Sequence, residues 1–121
     1  MKQVSKALLI LATFASATAL AQSTAIPEEV YQPKGQLIKS ERQGKNEFGI
    51  EYHVTGKDVR GLAEKTIEHA KSKGFDLVES EIKDDDADLK FKRDQQELDV
   101  EIELTDKDLI EYKIELDLDK K

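Results

Sequence analysis

The chain has 121 residues, carries a formal net charge of −7 at pH 7 and contains no cysteine. The lack of thiols excludes disulfides, thiolate metal ligands and a cysteine nucleophile. The excess of acids argues against nucleic acid as a partner, because phosphate backbones would be repelled.

Residues 1–21 have the layout of a cleavable signal peptide rather than of a membrane anchor. Lys2 and Lys6 give a positive start, residues 7–14 form a short apolar run, and Ala19-Leu20-Ala21 offers small residues at a cleavage point. The run is shorter than the roughly 20 apolar residues that span a bilayer. We therefore expect a periplasmic or secreted protein with no stable membrane insertion after cleavage.

Residues 22–34 contain both prolines of the chain and show no hydrophobic periodicity, which predicts a flexible N-terminal arm before a single domain over 35–121. Residues 36–42 form a weak strand candidate. Residues 47–54 alternate clearly between apolar and polar, which is typical of a half-buried strand. Its predicted inward side chains are Phe48, Ile50, Tyr52 and Val54, and its outward positions are Glu47, Gly49, Glu51 and His53.

The hydrophobic period changes to that of a helix after Gly56. The spacing predicts an amphipathic helix over 58–73, with Asp58 as the N-cap. Gly74 follows as the residue just past the helix, and Phe75 should fold back on it as a hydrophobic contact. The expected apolar stripe comprises Val59, Leu62, Ala63, Ile67 and Ala70.

Four further strands are predicted over 75–82, 87–93, 97–105 and 109–118. The phase of the first is ambiguous, because Phe75 and Leu77 fall on one face while Val78 and Ile82 fall on the other. Aligning the apolar faces of the last three fixes their registers. The predicted pairs are Phe91 with Leu98, Leu89 with Val100, Leu104 with Ile110, Ile102 with Tyr112, Val100 with Ile114 and Leu98 with Leu116.

The element order β-β-α-β-β-β-β predicts an α+β fold in which one helix packs on an antiparallel meander sheet. This order resembles the cystatin-type arrangement, in which a sheet wraps around one helix, and the PepSY-like modules of exported bacterial proteins. The Gln-x-Val-x-Gly loop of cystatins and the Asp-x-x-Thr-Gly strand ending of PepSY-type modules are absent. The resemblance therefore implies a fold and carries no functional residue.

The outward side of the last two strands is the first candidate site. The registers place Glu103 opposite Glu111 and Asp99 opposite Glu115, and like charges in such positions are unfavourable. A solvated face that opposes aggregation explains them without a ligand, and a basic protein partner is the alternative. The candidate binding residues are Glu97, Asp99, Glu101, Glu103, Glu111, Glu115 and Asp117.

The run Asp84, Asp86, Asp88 is the candidate metal site, because its spacing resembles the start of a calcium loop. Leu89 and Gln95 stand where such a loop needs glycine and a bidentate glutamate, so a solvated acidic turn competes with this hypothesis. The two histidines, His53 and His69, are expected at separate surface positions with no shared site.

No nucleophile, acid-base pair or phosphate loop is recognisable, so we expect a protein that is not an enzyme and holds no cofactor. The sequence favours a small exported interaction module, of inhibitor or immunity type, that binds a basic envelope protein. The competing hypothesis is a weak calcium-binding protein of the periplasm. The sequence does not indicate an oligomeric state.

Overall fold

The computed structural model describes residues 25–105 and 108–119, so the predicted signal peptide lies outside the described residues. Six antiparallel strands form one sheet in the order β1-β2-β6-β5-β4-β3, and a helix packs on one face, which confirms the α+β class. The described elements are β1 (Gln36–Gln43), β2 (Glu47–Thr55), α1 (Val59–Ser72), β3 (Asp76–Ile82), β4 (Asp86–Arg93), β5 (Gln96–Leu104) and β6 (Leu109–Asp117).

Helix α1 has both of its predicted end signals. The Asp58 carboxylate accepts a hydrogen bond from the Gly61 N–H at 2.9 Å, which satisfies a backbone donor of the first turn. At the other end Gly74 adopts a φ of 91°, and the Phe75 N–H donates to the Ala70 carbonyl at 3.0 Å. This is the Schellman arrangement, and Phe75 is buried as its hydrophobic contact.

The predicted hairpin registers are confirmed. Leu89 pairs with Val100, and Val100 pairs with Ile114, so one apolar row continues through β4, β5 and β6. Ile102 pairs with Tyr112 in the next row. Each of these side chains is almost fully buried. They lie on the face of the sheet that carries the helix, here called the inner face.

A β-bulge resolves the ambiguous phase of β3. Leu77 pairs with Phe91 and Glu79 pairs with Lys90, so Val78 between them is an extra residue without a partner on β4. The bulge reverses the alternation once, which puts Leu77 and Ile82 on the same inner face. Val78 is left 46% exposed.

Strand β2 pairs with β6, a contact that the sequence did not predict. Ile50 lies opposite Ile114 and Tyr52 opposite Tyr112, so the apolar rows extend across β2. This pairing joins the β1-β2 hairpin to the meander and makes one continuous sheet. The last strand of the chain therefore lies inside the sheet, and β1 and β3 form its edges.

Residues 25–34, predicted as part of a flexible arm, pack against the core in the structure. Val30 is 2% exposed and belongs to the hydrophobic cluster. The Tyr31 ring contacts the Tyr112 ring edge-on, with centroids 6.5 Å apart. Six strands span about 24 Å, whereas a helix is only about 10 Å wide. Since the backbone of α1 lies closest to β3, β4 and β5, this segment adds cover near β2 and β6.

Three side-chain contacts hold the segment in place. The Arg93 guanidinium lies 3.1 Å from the Glu29 carboxylate, and Lys73 lies 3.4 Å from that of Glu28. The His69 ring Nε2 is 2.8 Å from the Glu28 carbonyl oxygen. These contacts tie the segment to α1 and to the end of β4.

Candidate functional site: the outer face of the sheet

The side of the sheet opposite α1, here called the outer face, carries charged side chains on every strand. The seven predicted binding carboxylates, on β5 and β6, alternate with the buried apolar residues and so point to this face. The register places Glu97 opposite Asp117, Asp99 opposite Glu115 and Glu103 opposite Glu111. Acids thus face acids in three cross-strand pairs, and Lys113 opposite Glu101 provides one favourable pair.

Strand β2 widens this acidic surface beyond what the sequence indicated. Glu47 lies opposite Asp117, and His53 lies opposite Glu111. Glu51 lies opposite Lys113. The outward positions of β2 were predicted correctly, but its pairing with β6 was not predicted. The signal that could have revealed it is the matching alternation of β2 and β6.

The outer face contains an open depression of about 390 Å³ over β3, β4, β5 and β6. A smaller depression of about 140 Å³ adjoins it where Gly49 lies opposite Glu115. Because Gly49 has no side chain, it leaves room between its charged neighbours. The charged side chains that line the larger depression are Glu79, Asp88, Lys90, Asp99, Glu101, Lys113 and Glu115.

Both lysines of the larger depression bind neighbouring acids. Lys90 Nζ is 3.3 Å from the Glu97 carboxylate, and Lys113 Nζ is 3.5 Å from that of Glu111. The hydrogen bond to Glu97 and the charge of Asp99 raise the pKa of Lys90, and the charge of Glu111 raises the pKa of Lys113. Both ammonium groups are therefore charged at neutral pH, and acids outnumber them on the face.

The aspartates of the predicted metal site are spread along the chain. Asp84 precedes β4, and its exposed carboxylate accepts a hydrogen bond from Arg60 Nε at 2.8 Å. Asp86 and Asp88 lie on β4, opposite Glu103 and Glu101. In the part of the chain that the structure describes, none of these three aspartates belongs to a group of three ligand atoms within 4.8 Å of one another.

The structure instead brings His53 together with two glutamates. Ligand atoms of Glu51, His53 and Glu111 all lie within 4.8 Å of one another, and all three residues are half-buried. Sequence reasoning missed this group, because Glu111 reaches His53 only through the β2–β6 pairing. His69, in contrast, contacts the Glu28 carbonyl and the Tyr31 ring, and lies away from this face.

Comparison with known proteins adds no identification. No protein-family model matches the chain, and no match is found among curated proteins or solved structures. Within residues 25–105 and 108–119, no helix has the length and apolar character needed to cross a bilayer.

Proposed function

We propose that this protein is an exported interaction module that binds a basic protein of the cell envelope through the outer face. The observation that supports this most is the cross-strand stacking of acids, Asp99 with Glu115 and Glu103 with Glu111, on a face that α1 leaves uncovered. Like charges placed directly opposite each other lower the stability of a sheet. A cationic partner would relieve that repulsion when it binds, and the relief would strengthen binding.

The shape of the face fits a protein better than a single ion. The larger depression is open and extends over four strands, β3 to β6, which suits a protruding basic loop or helix. Calcium needs six to eight oxygens converging at about 2.3–2.6 Å. The one close group of three ligand atoms among the described residues includes an imidazole in place of an oxygen ligand. Long-range attraction by the acidic face would also speed the encounter with a basic partner.

We extend the proposal to the architecture and the compartment. One helix over a meander supports the cystatin-like or PepSY-like assignment of the fold. The inhibitor or immunity type of role rests instead on the acidic outer face. The signal-like residues 1–21 support a periplasmic or secreted location. We also propose that the protein has no catalytic activity, because no nucleophile or acid-base pair is recognisable in its sequence.

A pair of matched variants tests the binding face. Asp99→Asn with Glu115→Gln removes two charges from the outer face, and Glu64→Gln with Glu68→Gln removes two from exposed positions of α1. The protein is used to capture envelope proteins, and the recovered basic partner is purified and titrated against each variant. We expect the outer-face variant to bind about tenfold more weakly at low salt, and the helix variant to bind like the wild type.

High salt should reduce the difference between the two variants, because exposed charges are then screened. Equal weakening by both variants would show that net charge alone attracts the partner, and would refute a specific face. Binding that is insensitive to both variants and to salt would refute the proposal altogether.

A further inference from the structure

We infer that Glu51, His53 and Glu111 form a zinc site on the outer face. One imidazole and two carboxylates are a donor set that zinc accepts in proteins. The three ligand atoms come from two paired strands and lie within 4.8 Å of one another. This inference is independent of the protein partner proposed above.

Strand geometry places the three side chains together. His53 and Glu111 are direct cross-strand partners of β2 and β6, so their Cβ atoms lie about 5 Å apart. Glu51 lies two residues before His53 on the same strand and therefore on the same face. The arrangement depends on backbone pairing, so the three side chains share one face at close range before any metal arrives.

The distance between His53 and Glu51 already fits zinc. His53 Nε2 lies 3.2 Å from Glu51 Oε2. Zinc bonds of about 2.0–2.1 Å at tetrahedral angles put neighbouring ligand atoms about 3.3 Å apart. The Glu111 carboxylate lies within 4.8 Å of both, and it would have to approach them to complete a triangle of that size. The fourth position would remain for water or for Glu103, which pairs with Glu111 across β5 and β6.

The environment favours a dication and selects against calcium. The side chains of Glu51, His53 and Glu111 are only 21–29% exposed, so their attraction for a cation is less screened than at an open surface. An imidazole ligand suits zinc and neighbouring transition metals, whereas calcium takes oxygen ligands. Lys113 is the competing cation, since its Nζ lies 3.5 Å from Glu111 Oε1.

The test is a calorimetric titration of the chelator-treated full chain with zinc chloride alone and with calcium chloride alone. We expect one zinc per chain and no calcium binding at the same site. His53→Gln and Glu111→Gln should each weaken zinc binding by about tenfold or more, because each removes a direct ligand and even an outer-shell partner contributes about 10–100-fold to metal affinity. His69→Gln is the matched control, because it removes the other histidine of the chain, and it should bind zinc like the wild type.

A variant that gains affinity distinguishes loss of a zinc ligand from loss of folding, because a misfolded protein would not bind zinc more tightly. Lys113→Gln removes the cation that competes for Glu111, so zinc should bind several-fold more tightly. Wild-type affinity in His53→Gln, or equal losses in His53→Gln and His69→Gln, would overturn the inference. So would unchanged zinc affinity in Lys113→Gln.

Discussion

The buried hydroxyl of Tyr112 gives a stability prediction that can be worked out from the structure. The Tyr112 ring is fully buried, and its hydroxyl oxygen lies 2.7 Å from Thr66 Oγ1. Thr66 Oγ1 already donates its hydrogen to the Leu62 carbonyl at 2.8 Å. Tyr112 must therefore donate to Thr66, and Tyr112→Phe removes this one hydrogen bond while keeping the ring.

At about pH 8 the lost hydrogen bond should lower the free energy of unfolding by roughly 1 kcal/mol. At higher pH the comparison changes, because burial raises the pKa of Tyr112 well above its usual 10. A group with a raised pKa in the folded state gives stability that is complete below the unfolded pKa. That stability is lost as the pH rises towards the folded pKa.

Between about pH 10 and the raised pKa, the wild type should therefore lose about 1.4 kcal/mol per pH unit through Tyr112. The Phe variant has no such group, and every other titrating residue is common to both proteins. The advantage of the wild type of roughly 1 kcal/mol at about pH 8 should thus disappear by about pH 11.

Urea unfolding followed by circular dichroism, at both pH values and constant ionic strength, measures this difference. A stability difference that stays the same from about pH 8 to about pH 11 would refute the reasoning. It would show that Tyr112 ionises as easily in the folded protein as in the unfolded chain, and so is not shielded from water.

Three further predictions test the packing. Ile102→Ala should lower the free energy of unfolding by about 2–5 kcal/mol, because Ile102 is fully buried. Val78→Ala should change it by less than about 0.5 kcal/mol, because the bulge leaves Val78 exposed. Comparable losses in these two variants, measured by urea unfolding, would contradict the bulge. Val30→Ala should cost about 1.5–3 kcal/mol, because Val30 is part of the core. A thermal melt indistinguishable from that of the wild type would show that the segment does not pack.

Local patterns in the sequence were sufficient to predict the meander. In β5 the alternation of Leu98, Val100 and Ile102 with acids fixes which side chains face inward. The short connections to β4 and β6 then leave one register that keeps the apolar faces together. The end signals of α1, Asp58 and Gly74, are similarly local, so they too could be read from the sequence.

The features that the sequence did not reveal depend on contacts between distant segments. The pairing of Tyr52 with Tyr112 joins strands separated by more than 50 residues of chain, and an alternating pattern does not name its partner. The bulge at Val78 interrupts the very periodicity used to predict strands. Packing of Val30 leaves no periodic trace, because a few irregular residues cover the sheet. The grouping of His53 with Glu111 depends on the same pairing of β2 with β6, so it was missed together with that pairing.

The edges of the sheet also bear on where a partner can bind. The most exposed large apolar residues among those described are Leu37, Ile38 and Val78, all on the edge strands β1 and β3. An exposed edge with apolar residues normally invites an additional strand. Here both edges carry a bulge, with Ile38 unpaired in β1 and Val78 unpaired in β3.

A bulge disrupts the regular row of hydrogen-bonding groups that an incoming strand must match. Charged neighbours reinforce this effect, since Lys39 and Glu41 follow the first bulge and Glu79 and Glu81 follow the second. Binding by strand addition is therefore disfavoured at both edges. Since α1 and residues 25–34 lie over the inner face, the outer face is the broad surface of the sheet that is left for the partner we propose.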